Sequence, residues 1–304
     1  MRQPPCLTSP DAGGGKRHKP HAGHAKPLLY PWTMCSNYES VTDNDRLLAS
    51  FGVTLPEGAD AARHCSAGVM APFIRRAEMK SADVLGDVRF GVQGLLPHFA
   101  TDIGFARGSH DCPTETMKSK PAYRESWWAG RRCVIPVKSI SAWNFESGRP
   151  QMWHIQRADE EPLALAGLWS EWTSPAGEKV LSFSMLTINA DEHEIFGRMG
   201  APGHEKRMPA ILPIGVRELW LYGGLKDAER MLVRYPDEQL RAKPREAASP
   251  MLREPKSWAK VPDMFAPEWH AIAVEPSRKR AVRVPRALPP RPPELPSPTT
   301  GDLF

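Results

Sequence analysis

The chain has 304 residues, 41% of them hydrophobic, with 32 prolines and a formal net charge of +5. That length suits one medium domain with tails or two small domains, and the positive balance favours polyanionic partners through phosphate attraction. No apolar run approaches the ~18 residues of a membrane span, and PLLYPW is too short for a secretory core, so a cytoplasmic protein is expected.

Residues 1–33 are rich in Pro, Gly, His and Lys and show no helical or strand period, so disorder is expected there. His18, His21 and His24 lie in this stretch without a nearby carboxylate or thiol partner to complete a metal site. DNDRLLASFGV reads as an Asp-capped helix closed by Gly52. RFGVQGLLPHFA has the punctuation of a strand leading into a loop, and KPAYRESWWAGRRCVIPV reads as a helix, a stop at Gly130 and a strand. QMWHIQR, PLALAGLWSEW and VLSFSMLTINA alternate or run apolar at strand length. RMPAILP reads as a further short strand, while VRELWLYG and DAERMLVRY read as helical. Trp127 and Trp128 are expected in the core. Many strands with a few interspersed helices make the fold class α+β. Residues 248–304 return to Pro, Arg and Ser, with Arg278-Lys279-Arg280 as a basic run, so a disordered tail is expected there.

Five cysteines stand at 6, 35, 65, 112 and 133 with no C-x-x-C pair, so neither a zinc site nor a disulfide framework is expected. No metal and no cofactor are called for.

TMCSNYESVTDNDRLL, followed in order by APF, GLLPHF, KPAYRESW, RRCVIP, PLALAGLW, LTINADEH and EKRMPAILP, resembles the SOS response-associated peptidase (SRAP) family. The resemblance covers residues 34–247 and implies a single domain built on a curved, mostly antiparallel sheet with flanking helices. Residues 1–33 are then an extension, and Met34 is the expected true start unless the extension is cleaved before Cys35.

What the resemblance implies chemically centres on Cys35 as the catalytic residue. Placed at a mature N-terminus, its α-amine and thiol trap the aldehyde of an abasic site in single-stranded DNA as a thiazolidine. An α-amine of pKa ~7.7–8 is partly unprotonated at neutral pH, and a thiol of pKa ~8.5 closes the ring. An internal cysteine has an amide nitrogen and cannot do this, and burial in the core is the competing expectation for Cys35.

The family's other site residues transfer unevenly. Its Asn-Ala-Arg-x-Glu-Thr block is DCPTET here, placing Asp111 at the Asn position and Pro113 at the Arg position, with Glu115 and Thr116 retained. The acid position falls on Ala142, with Glu146 nearby, and the His position on Gly200. Asp111 and His204 stand as compensating candidates, although a surface-loop residue without a role is the first reading of His204. Pro72, His98, Phe99, Arg124 and Arg207 match family positions at the DNA, with core packing as the alternative for Phe99 and helix bracing for Arg124.

The resulting expectation is a monomeric abasic-site-processing protein with autopeptidase and lyase activities, located in the cytoplasm or on a bacterial nucleoid. A catalytically degenerate single-strand-binding module is the main alternative, and a thiol hydrolase pairing Cys35 with His204 or His98 a lesser one. The terminal Asp302-Leu303-Phe304 is a candidate sliding-clamp ligand.

Overall fold

The computed structural model describes residues 37–79 and 84–245. Met34, Cys35, the histidine tract, the Arg278-Lys279-Arg280 run and Asp302-Leu303-Phe304 lie outside the described residues.

Local signals set the first elements. After β1 (Asn37–Ser40), α1 (Asn44–Phe51) begins where the Asp43 carboxylate accepts the Arg46 N–H at 3.0 Å. It ends at Gly52, whose φ of 66° lets its N–H reach back to the Leu48 carbonyl. β2 (His64–Cys65) and β3 (Met70–Arg75) precede β4 (Asp87–Gln93) and β5 (Asp111–Pro113). α2 (Pro121–Trp128) opens with proline at its first position, where a missing N–H does no harm. The long strands follow: β6 (Arg132–Asn144), β7 (Gln151–Arg157), β8 (Leu163–Thr173) and β9 (Lys179–Asn189). β10 (Arg207–Pro209), α3 (Arg217–Tyr222), α4 (Leu225–Arg230) and β11 (Leu240–Pro244) complete the described chain.

Strand pairing returns on itself. β3 pairs with β4, β4 with β9, β9 with β8, β8 with β6, and β6 again with β3. The five strands thus form a closed ring, which leaves no free edge inside it. Most pairs are antiparallel; β9 runs parallel to β4 and to β5. β6 and β9 are long enough to leave the ring. Beyond Val137, β6 carries β1 on one edge and β7 on the other, and β7 in turn carries β11. The far end of β9 carries β5 and β10.

Burial explains the strand sequences. Leu163 to Leu168 of β8 are all buried because both faces of that strand are covered, which removes any need for polar alternation. Gly167 is required there: a Cβ would sit 2.8 Å from Cys133 Sγ and 2.9 Å from the Ser184 carbonyl. Phe73 and Phe183 meet inside the ring with centroids 5.3 Å apart. α3 closes one side, where Trp220 is fully buried and its Nε1 donates to the Cys133 carbonyl at 2.8 Å. Arg132, also buried, donates Nε to the Trp220 carbonyl at 2.5 Å and Nη2 to the Gly223 carbonyl.

Two expectations are corrected. Trp127 is core, but Trp128 is 59% exposed, since neighbours on a helix point about 100° apart and only one can face inward. The helix read in DAERMLVRY stops at Arg230; Met231 and Tyr235 instead turn back into the core. Pro72, a candidate DNA contact, lies buried in β3 opposite Phe90. Among the described residues no helix is long and apolar enough to cross a membrane.

Candidate functional site

The positions that the resemblance assigns to an acid and a histidine, Ala142 and Gly200, fall side by side. Ala142 is buried on β6 opposite Trp153 of β7. One residue on, the Trp143 carbonyl accepts the Gly200 N–H at 2.6 Å, and Asn144 bridges to Met199. Gly200 has φ 76°, a left-handed conformation in which a side chain costs on the order of 1 kcal/mol. Neither position offers a titratable group.

The nearby ionisable groups are occupied. Glu146 holds Arg198 with both oxygens, at 2.9 and 2.6 Å, and accepts a hydrogen bond from Asn144 Nδ2 at 3.2 Å. Arg198 and then Asn144 hold its carboxyl down to about 2, so Glu146 carries no proton to donate near neutral pH. Arg198 in turn stacks on Trp153 at 5.3 Å. Lys206 directs its Nζ to the carbonyls of Gly200 (3.0 Å) and Ala201 (3.2 Å), placing an amine beside the histidine position. Sequence reasoning passed over both Arg198 and Lys206. His204 is exposed, and its side chain has no polar partner among the described residues.

A second group forms around Arg207, the residue before Met208 and Pro209. Its side chain is only 15% exposed and reaches Glu115 Oε2 at 2.8 Å and Glu205 Oε1 at 2.6 Å. It also donates to Thr187 through Oγ1 (3.1 Å) and the carbonyl (2.8 Å). The retained Glu115 is therefore brought together with Arg207. Asp111, on β5, stands 3.4 Å from His110 Nε2, and its carbonyl accepts the Tyr123 hydroxyl at 2.9 Å.

The loop after β4 meets α2. His98 Nδ1 lies 2.7 Å from Glu125 Oε2, and this contact, ahead of Arg131, holds the Glu125 carboxyl below its ordinary range. Phe99 is 44% exposed and packs edge-on against His98 and Phe105. Arg124 is exposed on α2, one turn before Trp128. His98 is thus joined to α2, whereas among the described residues the hydrogen bonds of Gly200 run to Trp143 and Lys206 and reach neither this group nor Asp111.

The described thiols are poor reagents. Cys65, Cys112 and Cys133 are free and buried, and burial pushes the Cys65 thiol up to about 12 and raises the other two as well. Among the described residues no group of three or more His, Cys, Asp or Glu is arranged to hold a metal ion.

Comparison with known proteins is consistent with this picture. Residues 34–248 match the family described as SOS response associated peptidase (SRAP). Abasic site processing protein YoqW of Bacillus subtilis (strain 168) is 26% identical over 194 residues, covering 62% of this chain and 80% of that protein. Abasic site processing protein HMCES of Gallus gallus is 27% identical over 154 residues, covering 43% of each. A crystal structure of a protein from Bordetella bronchiseptica superposes with a TM-score of 0.64 at 30% identity, over 70% of this chain and 100% of that one. A protein from Bacteroides thetaiotaomicron, at 22% identity, 70% and 93% coverage and a TM-score of 0.57, shares the fold. The chain belongs to the SRAP family.

Proposed function

We propose that the protein captures abasic sites in single-stranded DNA through Cys35, exposed as the N-terminal residue once the preceding residues are absent. The observation that carries this reading is that the family match opens at Met34, directly before Cys35. The relatives named abasic site processing proteins point to the same substrate. The unreactive state of Cys65, Cys112 and Cys133 leaves Cys35 as the nucleophile of choice in the matched region.

The Cys35 amine attacks the aldehyde carbon of the opened sugar, and water leaves to give an imine. The sulfur then adds to the imine carbon while the nitrogen takes up a proton, closing a five-membered thiazolidine. No enzyme acid is required for the atoms to balance. A positioned acid or base would add ~10²–10⁴-fold, and with Ala142 and Gly200 in those positions the capture is slow and its reversal slower. Lyase and autopeptidase steps, which lean on the same groups, are weak for the same reason. Asp111 and His204 act at most as partial substitutes.

For DNA contact, His98, Phe99 and Arg124 offer exposed rings and an exposed guanidinium around the loop after β4 and α2. Arg207 reaches a phosphate only by releasing Glu115 or Glu205. Pro72 acts through the backbone of β3 rather than as a contact. The Asp302-Leu303-Phe304 end remains a proposed clamp ligand.

The test is direct. Protein expressed from Met34, with Met removal confirmed by intact mass, is incubated with an abasic single-stranded oligonucleotide. A heat-stable adduct absent from Cys35→Ala and Cys35→Ser supports the reading; no adduct, or one that persists in both variants, overturns it. Salt-sensitive binding without an adduct would instead favour a non-catalytic binding module, the reading to which the missing acid and histidine point.

A further inference from the structure

The outward face of the strands that leave the ring carries a charge pattern that the site above does not use. Cross-strand partners share a face. In one row Lys243 of β11 stands opposite His154 of β7, His154 opposite Ser141 of β6, and Ser141 opposite Asn37 of β1. In the next, Arg241 stands opposite Gln156, while Ser139, Glu39 and His64 are successive partners across β6, β1 and β2. The residues between these rows, Ala242, Ile155, Ile140 and Tyr38, turn inward to the core. These two rows are polar by alternation, with Ser139 buried among them, while the next pair on the same face, Trp143 and Met152 beside Arg245, is apolar.

Its charge is unbalanced. Arg241, Lys243, Arg245 and Arg63 have no ion-pair partner among the described residues. Lys138 pairs with Glu39 at 3.0 Å. The same face runs into a cleft of about 260 Å³ lined by Arg46, Arg63 and Lys138 together with Glu39 and Asp43. The ladder continues past β11, where the Arg245 N–H donates to the Met152 carbonyl at 2.8 Å. Burial first and then Arg245 press the His154 pKa below the ordinary value, against an opposing pull from Glu39, with His64 and Lys138 adding to the depression. Unpaired cations thus stand at the β11 edge of this face, and the row of partners that starts at Lys243 ends at Asn37, two residues from Cys35 in the sequence.

We propose that this face, from β11 across β7 and β6 to β1, binds the phosphate backbone of single-stranded DNA through Arg241, Lys243 and Arg245, with the strand running from β11 toward β1, whose first residue, Asn37, follows Cys35 by two positions in the sequence. Charge complementarity selects the occupant: unpaired guanidinium and ammonium groups over hydroxyls and amides suit sequence-independent phosphate contact. The proposal rests on the reading of Cys35 as the reagent for abasic DNA, and assigns the strand a surface distinct from the one around His98 and Arg124.

The experiment measures binding of an undamaged single-stranded oligonucleotide by anisotropy across a salt series. It uses the full chain carrying Cys35→Ala, so that no adduct forms. Adding Arg241→Ala, Lys243→Ala and Arg245→Ala is expected to weaken binding at least ~10-fold and make the salt slope shallower by about 2, near 0.7 for each phosphate no longer neutralised. A control removing Lys179, Lys226 and Arg230, exposed elsewhere, is expected to change affinity by less than about 2-fold. Gln substitutions at 241, 243 and 245 repeat the measurement should the Ala variants unfold. Equal loss in control and test variants, or unchanged binding in the test variants, overturns the proposal. With Cys35 intact, an abasic oligonucleotide separates the two claims: an adduct with no dependence on the three cations removes only this surface. Weakened binding on their removal, with no adduct from the parent, removes only the capture chemistry. A parent that binds no single strand at low salt removes both.

Discussion

Two groups of arginines in this protein have opposite surroundings. Arg207 is held by Glu115, Glu205 and Thr187, so its positive charge is answered internally. Arg241 and Arg245, on and beside β11, meet no carboxylate among the described residues. The difference shows that cation content alone does not locate an anion site; what matters is whether the protein has already supplied the counter-charge. A guanidinium in a two-carboxylate clamp must break charge-assisted bonds before it can meet a phosphate, whereas an unpaired one gives up only water.

Four measurements probe that contrast. The largest effect is expected where an answered arginine is also buried. Arg132→Ala strips partners from the Trp220 and Gly223 carbonyls and is expected to lower stability by about 3 kcal/mol in urea unfolding, with single-strand affinity of the remaining folded protein unchanged. A loss below about 1 kcal/mol would mean that those carbonyls find water instead. Next, Glu115→Gln with Glu205→Gln releases Arg207. Oligonucleotide affinity should rise several-fold and the salt slope steepen by about 0.7, because one more cation becomes available to a phosphate. An unchanged slope would place Arg207 away from the DNA path. Stability should move by no more than about 1 kcal/mol, since both carboxylates are half exposed.

Thiol reactivity gives the third. Under native conditions at pH 8, iodoacetamide should leave Cys65, Cys112 and Cys133 unmodified by peptide mass mapping while Cys35 reacts. Rapid labelling of Cys133 would contradict the closed ring. The smallest effect concerns pH. His154 has a folded pKa below its unfolded value of ~6.5, so between those values the unfolded chain binds more protons and stability rises with pH. Its contribution is present above ~6.5 and is lost as pH falls through the depressed folded value. His193, also depressed by burial, adds to the same slope. His154→Gln should flatten, without abolishing, the fall in urea midpoint between pH 7 and pH 5; an unaltered slope would show that His154 does not contribute to that fall.

The sequence discloses this molecule unevenly, for physical reasons. α1 is legible because both of its stops, Asp43 and Gly52, are local. β8 and β9 are legible because strands covered on both faces become long apolar runs. β1 and β11, read as NYES and LRAKP, carry no such signal. Their inward residues are few, and their register exists only through β6 and β7. The alternation in QMWHIQR marks a strand, yet nothing local says that His154 stands between Lys243 and Ser141, residues 89 and 13 positions away. The same limit applies to the site. Residue types at 142 and 200 can be read off the chain, but that they adjoin each other, and that Lys206 and Arg198 surround them, depends on a loop folding back to Trp143.

The parallel pairing of β4 with β9 sets a timetable for synthesis. Val92 meets Ser182 and Gln93 meets Phe183, so when the ribosome has delivered the hairpin of β3 and β4, one flank of β4 has no native neighbour. That flank stays open until about ninety further residues have been translated. Cotranslational proteolysis or aggregation should therefore peak for nascent chains ending before β9 and fall once it emerges.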